Sequence, residues 1–211
     1  MIIIIGSNKG GCGKTTTATN ISVALSLKGK EVCLIDSDPQ RSAAKWHKDR
    51  EEAGHLPQIT LIEKLDNLTQ TLRALDNKFD YIIVDVAGRN SREMITAAMA
   101  ADLIIAPHQA SQLDLDTLEE LHQQTKRLQD FNPELKVFIY HAMASTNPSV
   151  KKVERQEFLE YVKQFSLFEP LNSIGYYRKT YKDVIPQGRS VIEHDNAQAT
   201  HEIDVLIEEL F

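Results

Sequence analysis

Two lysines, Lys9 and Lys14, stand within the run Ser7-Asn8-Lys9-Gly10-Gly11-Cys12-Gly13-Lys14-Thr15-Thr16-Thr17, directly behind four consecutive isoleucines. Glycines here let successive backbone N–H groups turn inward onto an anion, and a helix beginning at the end of the run adds positive potential. Lys14 can neutralise the β- and γ-phosphates of a nucleotide, and Thr15 can ligate Mg²⁺. Gly10, Gly11, Cys12, Gly13 and Thr16 complete the stretch that would face the phosphates. The usual phosphate-loop spelling, G-x-x-x-x-G-K-[ST], has glycine where this chain has Asn8, so the strict pattern fails at one position. One lysine suffices to hold phosphate, which leaves Lys9 to be explained.

Carboxylates are the second ingredient. Asp36-Ser37-Asp38-Pro39-Gln40 closes an apolar run. Asp-x-Asp-Pro alone is a common turn, because Asp bonds its own backbone and Pro fixes φ. At the carboxyl end of a strand adjacent to the phosphate loop, the same two carboxylates can serve a metal shell and position an attacking water. The run 81–84 ends in Asp85, the form of a buried strand whose aspartate holds Mg²⁺. Gly88, three residues on, can bring a bare backbone N–H to a γ-phosphate, while Arg89 reads either as an arginine finger or as a solvated loop arginine.

The elements that must position these groups follow from hydrophobic patterning. Apolar, β-branched runs at 2–5, 32–35, 59–62, 81–84, 103–106, 137–140 and 171–174 predict strands buried on both faces. Helical periodicity predicts helices over 15–28, 42–52, 68–77, 91–100, 115–128, 150–164 and 197–210; Leu115, Leu118, Leu121 and Leu128 share one face. Such alternation implies an α/β fold, a mostly parallel twisted sheet of about seven or eight strands with helices on both faces. Ligands of such sheets bind outside the carboxyl ends of the strands, where the motifs above lie.

With 211 residues and 42% hydrophobic content the chain reads as a single domain, 1–211, without repeats or linkers. Its apolar runs fall far short of the roughly 20 residues that cross a bilayer, and no signal peptide is readable, so a cytoplasmic location is expected. Cys12 and Cys33 suit a reducing compartment. Thirty acidic against 24 basic residues, net −6, exclude a generally basic nucleic-acid binder, so any DNA contact must come from a local patch. Arg178, Lys179, Lys182 and Arg189 form one candidate group and Lys151 with Lys152 another; a solvated charged face is the alternative for each.

The motifs together resemble the ParA family of deviant Walker ATPases, which also includes MinD and the nitrogenase iron protein. "KGGCGKTTT" at 9–17 is similar to its phosphate loop, "DSDPQ" at 36–40 to its second motif and "YIIVDVAG" at 81–88 to its third. "IGYYRKTYKDVIPQGRSVIE" at 174–193 resembles a segment of small plasmid partition ATPases. The resemblance implies that Lys9 reaches across a nucleotide-sandwich dimer to the partner's phosphates while Lys14 serves its own subunit. It implies that Asp38 positions the hydrolytic water and that Asp36 and Asp85 assist Mg²⁺. ATP would promote a homodimer that binds nonspecific DNA on the nucleoid, and a centromere-binding adaptor would stimulate hydrolysis.

Departures are few. Many members have D-x-P-P where this chain has Asp85-Val86-Ala87-Gly88, which points to the small partition ATPases, and Cys12 replaces a small residue. A thiol there either packs or makes the site sensitive to alkylation. Tyr176 and Tyr177 lie where adenine could stack or the core could pack. A MinD-like positioning ATPase is one alternative, but the closing "HEIDVLIEELF" has an acidic polar face that an anionic membrane repels. The nitrogenase reading fails for want of cluster cysteines. No operator-binding extension is expected ahead of the first strand. The other alternative is an ATP-dependent biosynthetic enzyme, amidase or synthetase in type, for which His108 and His141 are the nearby acid–base candidates, each otherwise a satisfied loop histidine.

Overall fold

The computed structural model describes residues 1–88 and 91–211, and of 112–116 the backbone alone. Arg89 and the Leu115 side chain therefore lie outside the described residues and atoms. The four isoleucines of β1 (Ile2–Ile5) suit a strand covered on both sides: Ile2 and Ile4 join one apolar layer, Ile3 and Ile5 the other. All four are at most 3% exposed, and each contributes about 2–3 kcal/mol of transfer free energy by burial.

Chain order continues α1 (Lys14–Leu27), β2 (Val32–Ser37), α2 (Ser42–Glu52), β3 (Thr60–Glu63), α3 (Thr69–Leu75), β4 (Tyr81–Val86), α4 (Arg92–Ala98) and β5 (Leu103–His108). It ends with α5 (Gln112–Gln129), β6 (Lys136–Ala144), α6 (Pro148–Val162), β7 (Phe168–Tyr176), α7 (Lys179–Val184), two short 3-10 turns and α8 (Ala197–Leu210). Among the described residues the sheet has seven strands in the order β3-β2-β4-β1-β5-β6-β7, with every neighbouring pair parallel. Leu72, Met94, Leu121 and Phe158 bring α3 to α6 onto one face, and Ala18, Trp46, Val184 and Ile203 bring α1, α2, α7 and α8 onto the other.

Three expectations need correction. The edge strands β3 and β7 are not buried on both faces: every residue of β3 is exposed or half-buried, and β7 includes exposed and half-buried positions, because an edge strand has a neighbour on one side only. The strand bearing Asp36 and Asp38 is not adjacent to β1, because β4 lies between them and pairs with both. The order of parallel strands is set by which crossovers pack, and local pattern carries no record of it. The short helix α7 was not expected; six residues closed by Pro186 are too few to show a 3.6-residue period.

Helix α8 turns Ile203, Leu206 and Ile207 into the core against β7 and α1. The apolar face that a membrane-lying helix would need is thus occupied within the fold. Arg50 of α2, only 1% exposed, ties this side together through a two-pronged bond to Glu193 (2.8 and 2.9 Å) and bonds to the carbonyls of Pro57 and Gly188. No helix among the described residues is long and apolar enough to cross a membrane.

Candidate active site

Between β1 and α1 the chain reverses on Gly11 (φ +74°) and Gly13 (φ +93°), a left-handed backbone that side chains disfavour. Lys14 opens the helix. Its ammonium is buried and donates to the Lys9 carbonyl at 3.0 Å, while the half-buried Lys9 has its own N–H on Ser7 Oγ at 3.2 Å. Cys12 is fully buried, its Sγ 3.2 Å from the Lys9 carbonyl and 3.4 Å from Ser7 Oγ. Packing of the loop from within is therefore one role the thiol does fill. The glycine of the third motif lies directly against this loop: a Cβ on Gly88 would stand 3.2 Å from Lys14 Nζ and 3.5 Å from the Lys9 backbone.

Strand register brings the carboxylates to the same end of the sheet. Asp85 is level with Ile5 on one side and with Asp36 on the other. The Thr15 hydroxyl donates to Asp85 Oδ2 at 2.6 Å, and Asp85 Oδ1 is buried with no hydrogen-bond partner. Burial pushes this carboxyl up to about 7, against the Thr15 bond, and the Asp36 carboxylate adds to the rise. Asp36 is buried too, and burial raises it, opposed by the N–H groups of Asp38 (3.0 Å) and Ala44 (2.8 Å) that its two oxygens accept. Asp36 thereby shapes the turn that carries Asp38. Asp38, half-buried at the rim, accepts the Gln40 N–H at 2.8 Å, a bond between an aspartate and the backbone two residues on.

A hydroxyl beside a buried carboxylate oxygen that lacks a partner fits Mg²⁺, a hard cation held by few protein oxygens and shared with phosphates. Among the described residues no cluster of three His, Cys, Asp or Glu would hold a metal by protein alone.

A cavity of about 290 Å³ opens beside the loop. Cys12, Gly13 and Thr16 border it at the phosphate end, and Tyr140, Tyr176 and Tyr177 line the rest. Met143, in a left-handed conformation (φ +54°) at an irregularity of the β6–β7 pairing, forms part of the wall, its methyl 3.4 Å from where a Gly13 Cβ would lie.

The structure rearranges the basic groups. The Tyr176 ring has Lys151 Nζ at 5.8 Å and the Arg178 guanidinium at 5.6 Å from its centre, so residues from both sequence clusters meet at the mouth of the cavity. Arg178 also donates to Glu202 (2.5 Å) and Gln198 (2.7 Å), Lys179 pairs with Asp183, and Lys182 donates to the Tyr177 hydroxyl at 2.5 Å. Arg189 belongs elsewhere, on His55 at 3.2 Å, with its carbonyl held by Trp46 of α2. His108 and His141 are not loop residues: they are level with each other on β5 and β6, both at most 1% exposed, and neither lines the cavity. His141 stacks on Phe158 with centroids 4.3 Å apart.

The family model described as ATPase MipZ matches residues 1–137, which contain the phosphate loop, both aspartate motifs and Gly88. The chain belongs to that ATPase family. Protein ParA of Rhizobium radiobacter is 34% identical over 116 residues, 54% of this chain and 50% of that protein. The sporulation initiation inhibitor Soj of Bacillus subtilis is 28% identical and covers 88% of this chain and 84% of its own length. Among solved structures, apo McdA of Cyanothece superposes with TM-score 0.75 at 20% identity, over 100% of this chain and 99% of that one. A Borrelia burgdorferi plasmid partition protein bound to AMPPNP gives 0.73 at 22% identity, with 99% of each chain covered. These relatives place the chain in the ParA/MinD superfamily of partition and positioning ATPases.

Proposed function

We propose that this family member is an ATP-hydrolysing DNA partition switch. The observation that carries the reading is the meeting of three separated motifs at one sheet end, with Thr15 on Asp85 at 2.6 Å and Gly88 against Lys14. The loop N–H groups and Lys14 hold the β- and γ-phosphates of ATP, and Lys14 exchanges the Lys9 carbonyl for phosphate oxygen. Thr15 and Asp85 hold Mg²⁺, which supplies charge neutralisation at the phosphate oxygens. Asp36 fixes the turn, and Asp38 orients water towards the γ-phosphate. Gly88, in contact with Lys14 and Lys9, senses whether that phosphate is present. The nucleoside occupies the cavity next to the loop.

Lys9 serves a second subunit's phosphates, so ATP closes a homodimer and hydrolysis releases it. Dimerisation doubles the basic surface around Lys151, Arg178, Lys179 and Lys182, and the summed phosphate contacts let a net acidic chain bind nonspecific DNA on the nucleoid with steep salt dependence. An adaptor bound at a centromere-like site stimulates turnover. The test is DNA co-sedimentation with ATP, ADP or no nucleotide: retention only with ATP, lost as salt rises, is expected, whereas nucleotide-independent binding contradicts the switch.

A second reading is favoured by the carboxysome distribution protein A of Halothiobacillus neapolitanus, 30% identical over 137 residues, 64% of this chain and 62% of that one. The same switch would then position a protein assembly. Loss of plasmid inheritance on deletion would support the first reading, and unchanged inheritance the second.

A further inference from the structure

The cavity beside the phosphate loop is walled mainly by apolar groups, so a base bound there needs a polar contact to fix its orientation. Most polar groups around it are already engaged. The Tyr181 hydroxyl donates to Glu202 Oε2 at 3.0 Å, and the same oxygen accepts the Tyr176 N–H at 3.1 Å. Glu202 Oε1 holds Arg178, whose guanidinium also bonds Gln198. The Tyr177 hydroxyl accepts from Lys182. Thr16 and Thr17 lie at the phosphate end, at the start of α1.

Tyr140 is different. It lines the cavity, its residue is 3% exposed, and among the described residues its hydroxyl makes no hydrogen bond. A Cβ at position 175 would lie 2.4 Å from this oxygen, so the glycine there leaves the space the hydroxyl fills. Gly175 is itself a lining residue. Burial, with the Glu202 and Glu209 carboxylates near by, pushes the phenol far upward and keeps it a donor at every physiological pH.

We infer that the Tyr140 hydroxyl is the group that reads the nucleobase, donating a hydrogen bond to a ring nitrogen of the purine. This rests on the reading of the loop as an ATP site. Tyr140 is then a binding and specificity residue on β6, outside all three nucleotide motifs, and Gly175 provides the space behind its hydroxyl.

The experiment compares wild type with Tyr140→Phe, which retains the ring and removes the hydroxyl. Affinities are measured for ATP, for inorganic tripolyphosphate and for deaza-ATP analogues that each lack one ring nitrogen. Tyr140→Phe should bind ATP about fivefold more weakly, the loss of one neutral hydrogen bond, and tripolyphosphate equally well. For wild type, one analogue should show the same loss, and that analogue should not distinguish wild type from the variant. Equal ATP affinity in the two proteins, or an equal loss towards tripolyphosphate, overturns the inference. If Tyr140→Phe does not fold, wild type alone decides, since equal affinity for all the analogues refutes a bonded ring nitrogen. Failure of wild type to bind ATP or tripolyphosphate would instead refute the ATP-site reading.

Discussion

Replacing Asp85 by asparagine should stabilise the nucleotide-free protein while removing its hydrolysis. Burial moves this carboxyl from 3.8 to about 7, and one oxygen has no partner. At about 1.4 kcal/mol per unit, keeping it ionised near pH 8 costs about 4 kcal/mol. Asparagine keeps an oxygen for the Thr15 hydroxyl but leaves a buried amide N–H₂ in place of the orphan oxygen, at about 2 kcal/mol. The net gain is about 2 kcal/mol, or about 4–8 °C in Tm for a chain of this size. The pH dependence follows from linkage. A carboxyl whose folded value is raised lets the folded state hold the proton longer, so the Asp85 contribution to wild-type stability falls as pH rises from about 4 to about 7 and is level above. The advantage of Asp85→Asn should therefore be absent near pH 4, grow through that window and plateau. Thermal unfolding of both proteins across pH, without nucleotide or Mg²⁺, measures it. A gain independent of pH, or none near pH 8, would refute the reasoning.

Lys14→Ala should abolish ATP binding, measured by calorimetry, because among the described residues no other ammonium is buried against the loop in this way; retained tight binding would sink the assignment. Asp38→Ala should bind ATP with little change yet lose about 100-fold or more in phosphate release, since Asp38 stands at the rim and does not hold the fold together. His141 is held down to about 4 by burial and then by the Arg155 cation. A base lowered in the folded state makes a contribution that is complete above about 6.5 and loses roughly 3 kcal/mol as pH falls from there to 4; in denaturant titrations the stability difference between wild type and His141→Gln should change by that amount across the window, the Asp85 slope being common to both. Gly188→Ala should destabilise by about 3 kcal/mol or more, read as a fall in denaturant midpoint, because φ is +64° and a Cβ would lie 2.1 Å from the Arg50 nitrogen.

The sequence by itself determined the glycine-rich loop proposed to hold phosphate, because an anion cradle is made by contiguous backbone: the glycines, Lys14 and Thr15 must be neighbours in the chain to face one anion. It also determined the interior strands and the aspartates near the ends of β2 and β4, since runs such as Ile2–Ile5 are apolar for both faces of a sheet. Tertiary structure alone decided what depends on strand order and on packing between distant elements. It put β4 between the strands of the first two motifs and separated Arg189 from Arg178. It also gathered Lys151 and Arg178 around one tyrosine and set the Tyr140 hydroxyl in the space left by Gly175. Such contacts join residues far apart in the chain. Their geometry is fixed by how helices seat on a twisted sheet, which no local spacing records.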